Sequence, residues 1–154
     1  MTPIDWAIRP LKKYATFTGR APRPEYWWYV LAILVVMLLL SFLERALGLT
    51  QMIGGLYGPI TLLVSFGTFL PSLAAAVRRL HDSNRSGWWM LLSVPYLFAA
   101  IMAMRAMASG DAGALETAGL LSWVGIACAL ALLVFLVLPG TKGANRFGEA
   151  PVAS

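Results

Sequence analysis

Long runs without a charged side chain divide the sequence into four apolar stretches separated by short polar segments. The apolar runs are continuous and do not alternate with polar residues, which favours helices over strands of a membrane barrel. About 20 helical residues, at about 1.5 Å each, cross a hydrocarbon core of about 30 Å. The pattern therefore predicts an all-α, integral membrane four-helix bundle. The predicted spans lie at about 25–45, 56–77, 87–107 and 117–138.

Residues at the ends of these stretches support helices. Pro24 suits the first turn of the first span, where Glu25 would lie beside the positive end of the helix dipole. Ser86 is a suitable cap for the third span, and Pro139 should end the fourth. Pro71 lies inside the second span, so we expect it to kink that helix or to mark its inner end.

The distribution of lysine and arginine predicts the orientation of the chain. Five of these residues precede the first span, three belong to the middle loop and two to the tail, whereas the other two loops hold one each. Positive residues accumulate on the cytoplasmic side of membrane proteins. We therefore expect the basic segment 1–23, the middle loop and the tail 139–154 to be cytoplasmic, together with both termini.

The segment before the first span carries a short helical pattern. Ile4, Ile8 and Leu11 recur at helical spacing and are followed by Lys12, which is typical of a helix lying on a membrane surface. Pro10 interrupts this pattern. A loosely ordered basic terminus is therefore the alternative interpretation.

Composition supports a membrane protein and argues against a nucleic-acid partner. Hydrophobic residues make up 59% of the chain and charged residues 12%, against about 25% charged in soluble domains. The net charge of +5 comes from basic residues that lie between apolar stretches. Topology and anionic lipid explain this arrangement, and no motif for reading nucleic acid is present. Cys128, the only cysteine, is expected to be a small buried hydrophobic residue.

The middle loop holds the most polar part of the sequence. Its arginines could bind a phosphate in bidentate fashion, so an anionic lipid head group is one candidate ligand. The alternative is that they set the topology and pair internally with Asp82 and Glu25. A protein partner and catalysis are further alternatives. The candidate contact residues are Arg20, Arg23, Glu25, Arg78, Arg79, His81, Asp82 and Arg85.

No catalytic, metal-binding or cofactor-binding residue is predicted. His81 is the only histidine, and neighbouring positions on a helix point about 100° apart, so Asp82 is poorly placed to orient its ring. A copper site is conceivable at three methionines, because thioethers bind Cu(I), but their spacing does not place all three on one helical face. They are Met102, Met104 and Met107. We therefore expect a protein without enzymatic activity or cofactor.

Two pairs of tryptophans mark the ends of spans on the predicted cytoplasmic side. Trp27 and Trp28 begin the first span, and Trp88 and Trp89 begin the third. Aromatic residues at such positions usually anchor a helix at the membrane interface. Stacking of these rings on a ligand is the alternative.

Two spans carry stripes of small residues at helical spacing. In lipid, small residues allow helix backbones to approach closely. We therefore expect the second and fourth spans to form the centre of the bundle. The competing interpretation is a seam between two copies in a homo-oligomer. The helix-packing residues are Thr61, Ser65, Thr68 and Ser72, and Ala118, Ser122, Gly125 and Ala129.

Three groups of motifs stand out in the sequence: 17–21 with 25–28, 77–82 with 85–89, and 143–148. They resemble those of bacterial domain-of-unknown-function family 805, whose members are small inner-membrane proteins. Two positions depart from the family pattern, because Phe147 replaces a usual tyrosine and Asn84 a usual glycine. The resemblance covers nearly the whole chain and implies location and shape, but no activity.

We therefore predict a non-enzymatic protein of the bacterial inner membrane. It would act as an accessory subunit or scaffold whose basic cytoplasmic face contacts anionic lipid or a membrane-protein partner. A small transporter or channel is the first alternative, although the span interiors carry none of the ionisable residues usual in transporters. An enzyme acting on a lipid head group is the second.

Overall fold

A computed structural model describes residues 1–50 and 57–151 of the chain. The predicted start of the second span at residue 56, the end of the loop before it and the last three tail residues lie outside the described residues. The elements are α1 (Pro3–Lys12), α2 (Arg23–Ala46), α3 (Pro59–Asp82), a 3-10 segment (Gly87–Ser93), α4 (Val94–Ser109) and α5 (Ala112–Val137).

Four of these helical stretches are long and apolar enough to cross a membrane. They contain 24, 24, 23 and 26 residues, so even the shortest would extend about 35 Å. The prediction of an all-α fold with four spans is therefore confirmed. The stretches are Arg23–Ala46, Pro59–Asp82, Gly87–Ser109 and Ala112–Val137.

The ends of the helices follow local capping chemistry. Pro24 lies in the first turn of α2, and the Ser86 hydroxyl accepts a hydrogen bond from the Trp88 amide at 3.4 Å, as the sequence predicts. The third span begins as a 3-10 helix and becomes α-helical only at Val94. Pro95, in the first turn of α4, has no amide hydrogen to continue the preceding helix.

The basic amino-terminal segment contains one helix, α1, as the first of the two interpretations has it, and its place on a membrane surface stays a prediction. Thr2 and Asp5 form a reciprocal capping box, and the backbone hydrogen bond from Thr2 lowers the pKa of Asp5. Pro10 does not end the helix, and it is buried together with Trp6, while α1 packs against α2 and α3. The apolar residues that the sequence placed on one face are exposed: Ile4, Ile8 and Leu11.

The proline inside α3 releases a carbonyl that the amino-terminal segment uses. Pro71 has no amide hydrogen, so the Gly67 carbonyl four residues earlier loses its usual helical donor. The Tyr14 hydroxyl donates to this carbonyl at 2.5 Å. The helix continues through Pro71 to Asp82, and the released acceptor attaches the amino-terminal segment to the middle of α3.

The stripe of small polar residues in α3 contacts α2. Three residues of α2 form a hydrogen bond with a member of this stripe, namely Glu44, Met37 and Tyr29. Because α2 and α3 are antiparallel neighbours, these bonds occur along most of their length. The pairs are Thr61 with Glu44 at 2.5 Å, Ser65 with Met37 at 3.8 Å and Ser72 with Tyr29 at 2.9 Å. Thr68 donates to the Val64 carbonyl of its own helix at 2.7 Å.

The stripe in α5 contacts α4 instead of α3. Gly125 is buried against Tyr96 of α4, and Ala118 is also buried. Ser122 donates to the Ala118 carbonyl of its own helix at 2.8 Å, and Ala129 is exposed. That the second and fourth spans form the centre of the bundle stays a prediction. The close contacts of Thr61 with Glu44 and of Gly125 with the Tyr96 backbone each lie within one helical hairpin.

The close approach at Gly125 yields a prediction for stability. A Cβ atom there would lie 2.7 Å from Tyr96 Cα and 2.9 Å from its nitrogen, and a backbone cannot move aside as a flexible side chain can. Gly125→Ala should therefore lower the free energy of unfolding by about 1–3 kcal/mol. Thermal unfolding in detergent, followed by circular dichroism, measures this change.

Gly119 of the same helix provides a matched control, because nothing lies within 4 Å of a Cβ placed there. Gly119→Ala should stabilise the helix by about 0.5–1 kcal/mol through its better helix propensity. Equal effects of the two substitutions would show that α4 and α5 do not approach closely at Gly125.

Candidate functional site

Three segments that are distant in sequence meet at one end of the bundle, which we call the basic end. It comprises residues 13–25, 77–89 and 138–151. At its centre lies Asp82, the last residue of α3, which is 4% exposed. Its Oδ1 accepts from Arg20 Nε at 3.0 Å, and its Oδ2 accepts from Arg79 Nη1 at 2.5 Å. One carboxylate thus pairs with two guanidinium groups.

Arg20 connects the amino-terminal segment to the tail. It is buried, and its Nη1 donates to the Gly143 carbonyl at 2.6 Å, while its Nη2 donates to the Thr141 carbonyl at 2.6 Å. The Thr141 amide in turn donates to the Asp82 carbonyl at 2.8 Å. Arg20 and Asp82 therefore fix the tail against the middle loop.

Arg79 caps the carboxyl end of α5. Its Nε donates to the Leu136 carbonyl at 2.9 Å, and its Nη2 donates to the Leu138 carbonyl. These carbonyls belong to the last turn of a helix, where no amide of the same helix is available to them. A cation also interacts favourably with the negative end of the helix dipole. The side chain of Arg79, fully buried, thus joins α3 to α5.

A second buried ion pair joins α2 to α3. Arg78 Nη1 lies 2.5 Å from Glu25 Oε1, and both side chains are 1% exposed. Arg9 Nε lies 3.6 Å from the other Glu25 oxygen. The pKa of nearby Lys13 is lowered by burial, against the opposing attraction of Glu25. Within the described residues, Nε and Nη2 of Arg78 are buried without an acceptor, which carries a desolvation cost.

His81 contributes to packing at the basic end. Its ring stacks on Phe147 of the tail, with centroids 3.9 Å apart and planes 3° from parallel. Its Nδ1 lies 3.2 Å from the Gly19 carbonyl, and the Asn145 amide donates to the His81 carbonyl at 2.9 Å. The neighbouring Asp82 is bonded to two arginines. These contacts give His81 a structural role in holding the tail.

The ion pairs leave several basic side chains on the surface of the basic end. Of the three acidic residues in this region, Glu25 and Asp82 are buried in ion pairs and Glu149 is exposed. Arg85 is half-buried, with its guanidinium 4.4 Å from the Phe135 ring centre. The exposed basic residues here are Arg23, Lys142 and Arg146.

The candidate contact residues thus separate into two groups. Five of them are buried in internal contacts, which is the alternative arrangement that the sequence left open for the cluster. The physical reason is that Glu25 and Asp82 lie within reach of arginines on neighbouring segments. Arg23 and Arg85 remain accessible and His81 is half-buried. The buried group is Arg20, Glu25, Arg78, Arg79 and Asp82.

The four tryptophans of the two predicted pairs all lie at or next to the basic end. Trp28, Trp88 and Trp89 are exposed, and Trp89 meets Phe135 edge-on at 5.0 Å. Trp27 is half-buried and packs against a cluster of leucines from α3 and α5. These positions suit interfacial anchoring, which stays a prediction.

Glu44 is a structural residue that the sequence reasoning missed, because it lies at the very end of the first predicted span and was given no partner. It lies buried in the last turns of α2, and its carboxylate accepts from the amides of Ile60 at 2.5 Å and Thr61 at 3.2 Å. These amides begin α3, whose cap residue Gly58 has no side chain to bond them. A Cβ at Gly58 would lie 2.5 Å from both carboxylate oxygens. The sequence did contain one signal for this role of Glu44. The helix start at Gly58-Pro59 has no side chain that could cap it, so a cap had to come from elsewhere.

The fold and these contacts define a small four-span membrane protein whose amino-terminal segment, middle loop and tail are joined at one end by buried ion pairs. The family described as "Protein of unknown function (DUF805)" matches residues 14–149, so the chain belongs to this family. Every ion-paired residue of the basic end lies within the matched region, whereas Arg9, which also contacts Glu25, precedes it.

Two relatives from Escherichia coli strain K12 resemble nearly the whole chain. Inner membrane protein YhaH is 34% identical over 149 residues, covering 96% of this chain and 97% of its own. Inner membrane protein YhaI is also 34% identical over 149 residues, covering 96% of each chain. No solved structure matches. The chain is an inner-membrane protein, as these relatives are named, and it has four helices that could span the membrane.

Proposed function

We propose that this protein is a non-enzymatic scaffold or accessory subunit whose basic end contacts anionic lipid or a membrane-protein partner. One observation supports the proposal. The buried ion pairs use Glu25 and Asp82, so the exposed cations at this end face few acidic side chains. This surface therefore attracts anions from outside the protein.

The geometry also makes the basic surface a preformed one. Arg20 and Asp82 join the tail to the middle loop. The exposed cations of these segments are therefore held at fixed positions relative to one another. Preformed surfaces bind with a smaller loss of conformational entropy. Each basic residue close to an anionic membrane contributes about 1 kcal/mol of attraction, and salt screens this term over about 10 Å.

The proposal predicts what the protein retains on gentle extraction. Wild type should carry anionic phospholipid or a stoichiometric protein in native mass spectra, and the retained amount should fall as salt rises. The variant Lys12→Gln/Arg85→Gln/Arg146→Gln should retain several-fold less. Lys12, at the end of α1 next to the basic end, and Arg146 are exposed and Arg85 is half-buried, so the buried ion pairs stay intact.

The matched control is Arg45→Gln/Arg105→Gln, which removes exposed charge at the opposite end of the bundle. Its retention should equal that of wild type. Wild type without bound lipid or protein would contradict the proposal. Solute flux in proteoliposomes would favour a transporter or channel instead, and turnover of lipid head groups would favour an enzyme.

A further inference from the structure

A polar pocket at the basic end is suited to an anion. It has a volume of about 310 Å³, and Arg23 and Lys142 are exposed in its lining. Asp82 also lines it, but both of its oxygens are bonded to guanidinium groups. Arg20, a further lining residue, uses its donors on Asp82 and tail carbonyls. The charge available to a ligand therefore comes from Arg23 and Lys142.

An apolar groove continues from this pocket along α2. Arg23 and Pro24 line both the polar pocket and a neighbouring cavity of about 370 Å³, which Trp27, Trp28 and Leu31 complete. The polar pocket thus opens directly onto the exposed tryptophan surface at the start of α2.

Beyond Trp28 the groove passes between α1 and α2. Trp28 and Leu31 also line a third cavity of about 380 Å³, where Ile4 and Ala7 of α1 face Ala32 of α2. Both alanines are small, so an elongated apolar group fits between the two helices. The three cavities share residues at each junction and form one continuous depression.

The dimensions of this depression match one leaflet of a bilayer. From Trp27 to Val36 the groove follows ten residues of α2, whose Cα atoms span about 14 Å along the helix axis. This length is close to half of a hydrocarbon core of about 30 Å. The groove is cationic and polar at one end and entirely apolar at the other.

We infer that this groove is a binding site for one anionic phospholipid. The phosphate lies between Arg23 and Lys142, and one acyl chain passes over Trp28 and between Ala7 and Ala32. Charge complementarity selects the anionic head group, and the apolar length selects a lipid over a soluble phosphate. This inference rests on the proposed function and names the lipid class and its site.

The head-group half of the site is tested with spin-labelled phosphatidylglycerol and phosphatidylcholine, added to the full-length protein in nanodiscs. Wild type should immobilise phosphatidylglycerol in clear preference to phosphatidylcholine. Arg23→Gln/Lys142→Gln should lower that preference about tenfold. The charge-preserving pair Arg23→Lys/Lys142→Arg should restore it, and Arg45→Gln/Arg105→Gln should not change it.

The acyl-chain half is tested with Ala32→Phe, which fills the groove without changing charge. The immobilised fraction of both lipids should fall several-fold, while the ratio between them stays as in wild type. Ala131→Phe, at an exposed position of α5, is the matched control and should have no effect. An equal response to Ala32→Phe and Ala131→Phe would overturn the site.

The groove and the proposed function can fail separately. If Lys12→Gln/Arg85→Gln/Arg146→Gln removes lipid while Arg23→Gln/Lys142→Gln retains it, the basic end binds lipid elsewhere and the groove assignment is wrong. If wild type captures a protein but shows no preference for phosphatidylglycerol, the scaffold proposal stands without a lipid site. If wild type captures neither a protein nor anionic lipid, the scaffold proposal and the groove assignment are both wrong.

Discussion

Asp82→Asn is expected to lower the free energy of unfolding by about 3–5 kcal/mol, because it leaves Arg20 and Arg79 buried without a countercharge. It should also release the tail, which Arg20 and Asp82 hold against the middle loop. Thermal unfolding in detergent measures the first effect. Trypsin added to inverted membrane vesicles measures the second, as faster cleavage after Lys142 and Arg146.

Two further variants separate the ion pair from a general loss of charge. Glu149→Gln removes an exposed acid from the same tail and should change the free energy of unfolding by no more than about 0.5 kcal/mol. Gly140→Ala would place a Cβ 2.7 Å from the Asp82 carboxyl carbon, so it should displace this carboxylate and speed trypsin cleavage. Asp82→Asn with the stability and cleavage rate of wild type would show that Asp82 and Arg20 do not hold the tail against the middle loop.

Arg78→Gln should be the second strongly destabilising change, also by about 3–5 kcal/mol, because it removes the close partner of the buried Glu25. Arg9 lies 3.6 Å from Glu25 and is too distant to replace the lost hydrogen bond. The double variant Glu25→Gln/Arg78→Gln should recover much of the loss. It removes both charges, together with the two Arg78 donors that lack an acceptor.

A double-mutant cycle is the measurement for this pair. Thermal unfolding of wild type, both single variants and the double variant should show strong coupling between residues 25 and 78. Arg85→Gln, from the same loop but half-buried, serves as the control and should cost much less. Strictly additive losses at the two positions would show that they do not form the pair.

The sequence predicted the spans well because crossing a bilayer imposes length and apolarity on each segment separately. Pairing of the middle-loop arginines with Asp82 and Glu25 was foreseen as an alternative, but not that Arg78 would meet Glu25 and Arg79 would meet Asp82. The connection from Arg20 to the Thr141 and Gly143 carbonyls was not foreseen. Backbone carbonyls carry no residue-specific signal, and these partners are more than 100 residues apart in the sequence.

The helix pairing could not be predicted from the small-residue stripes alone. Such a stripe allows a close approach but does not specify which helix approaches. In this fold the partner is specified by Glu44, which bonds the first turn of α3, and by Tyr96, whose backbone meets Gly125. Glu44 lies at the end of the first predicted span, where the sequence does not indicate its partner, and the importance of Tyr96 depends on the rotation of α4 after the 3-10 segment.

The most direct test of the account is the position of its basic end relative to the membrane. Single cysteines are introduced at Ala15, Ala144 and Ala112 in a Cys128→Ala background, and are labelled with a membrane-impermeant maleimide. All three sites are exposed. The cysteines at 15 and 144 should react only in inverted vesicles, and the cysteine at 112 only in intact cells with a permeabilised outer membrane. Labelling of position 144 in such cells, or of 15 and 144 from opposite sides, would contradict a cytoplasmic basic end whose segments are joined by Arg20 and Asp82.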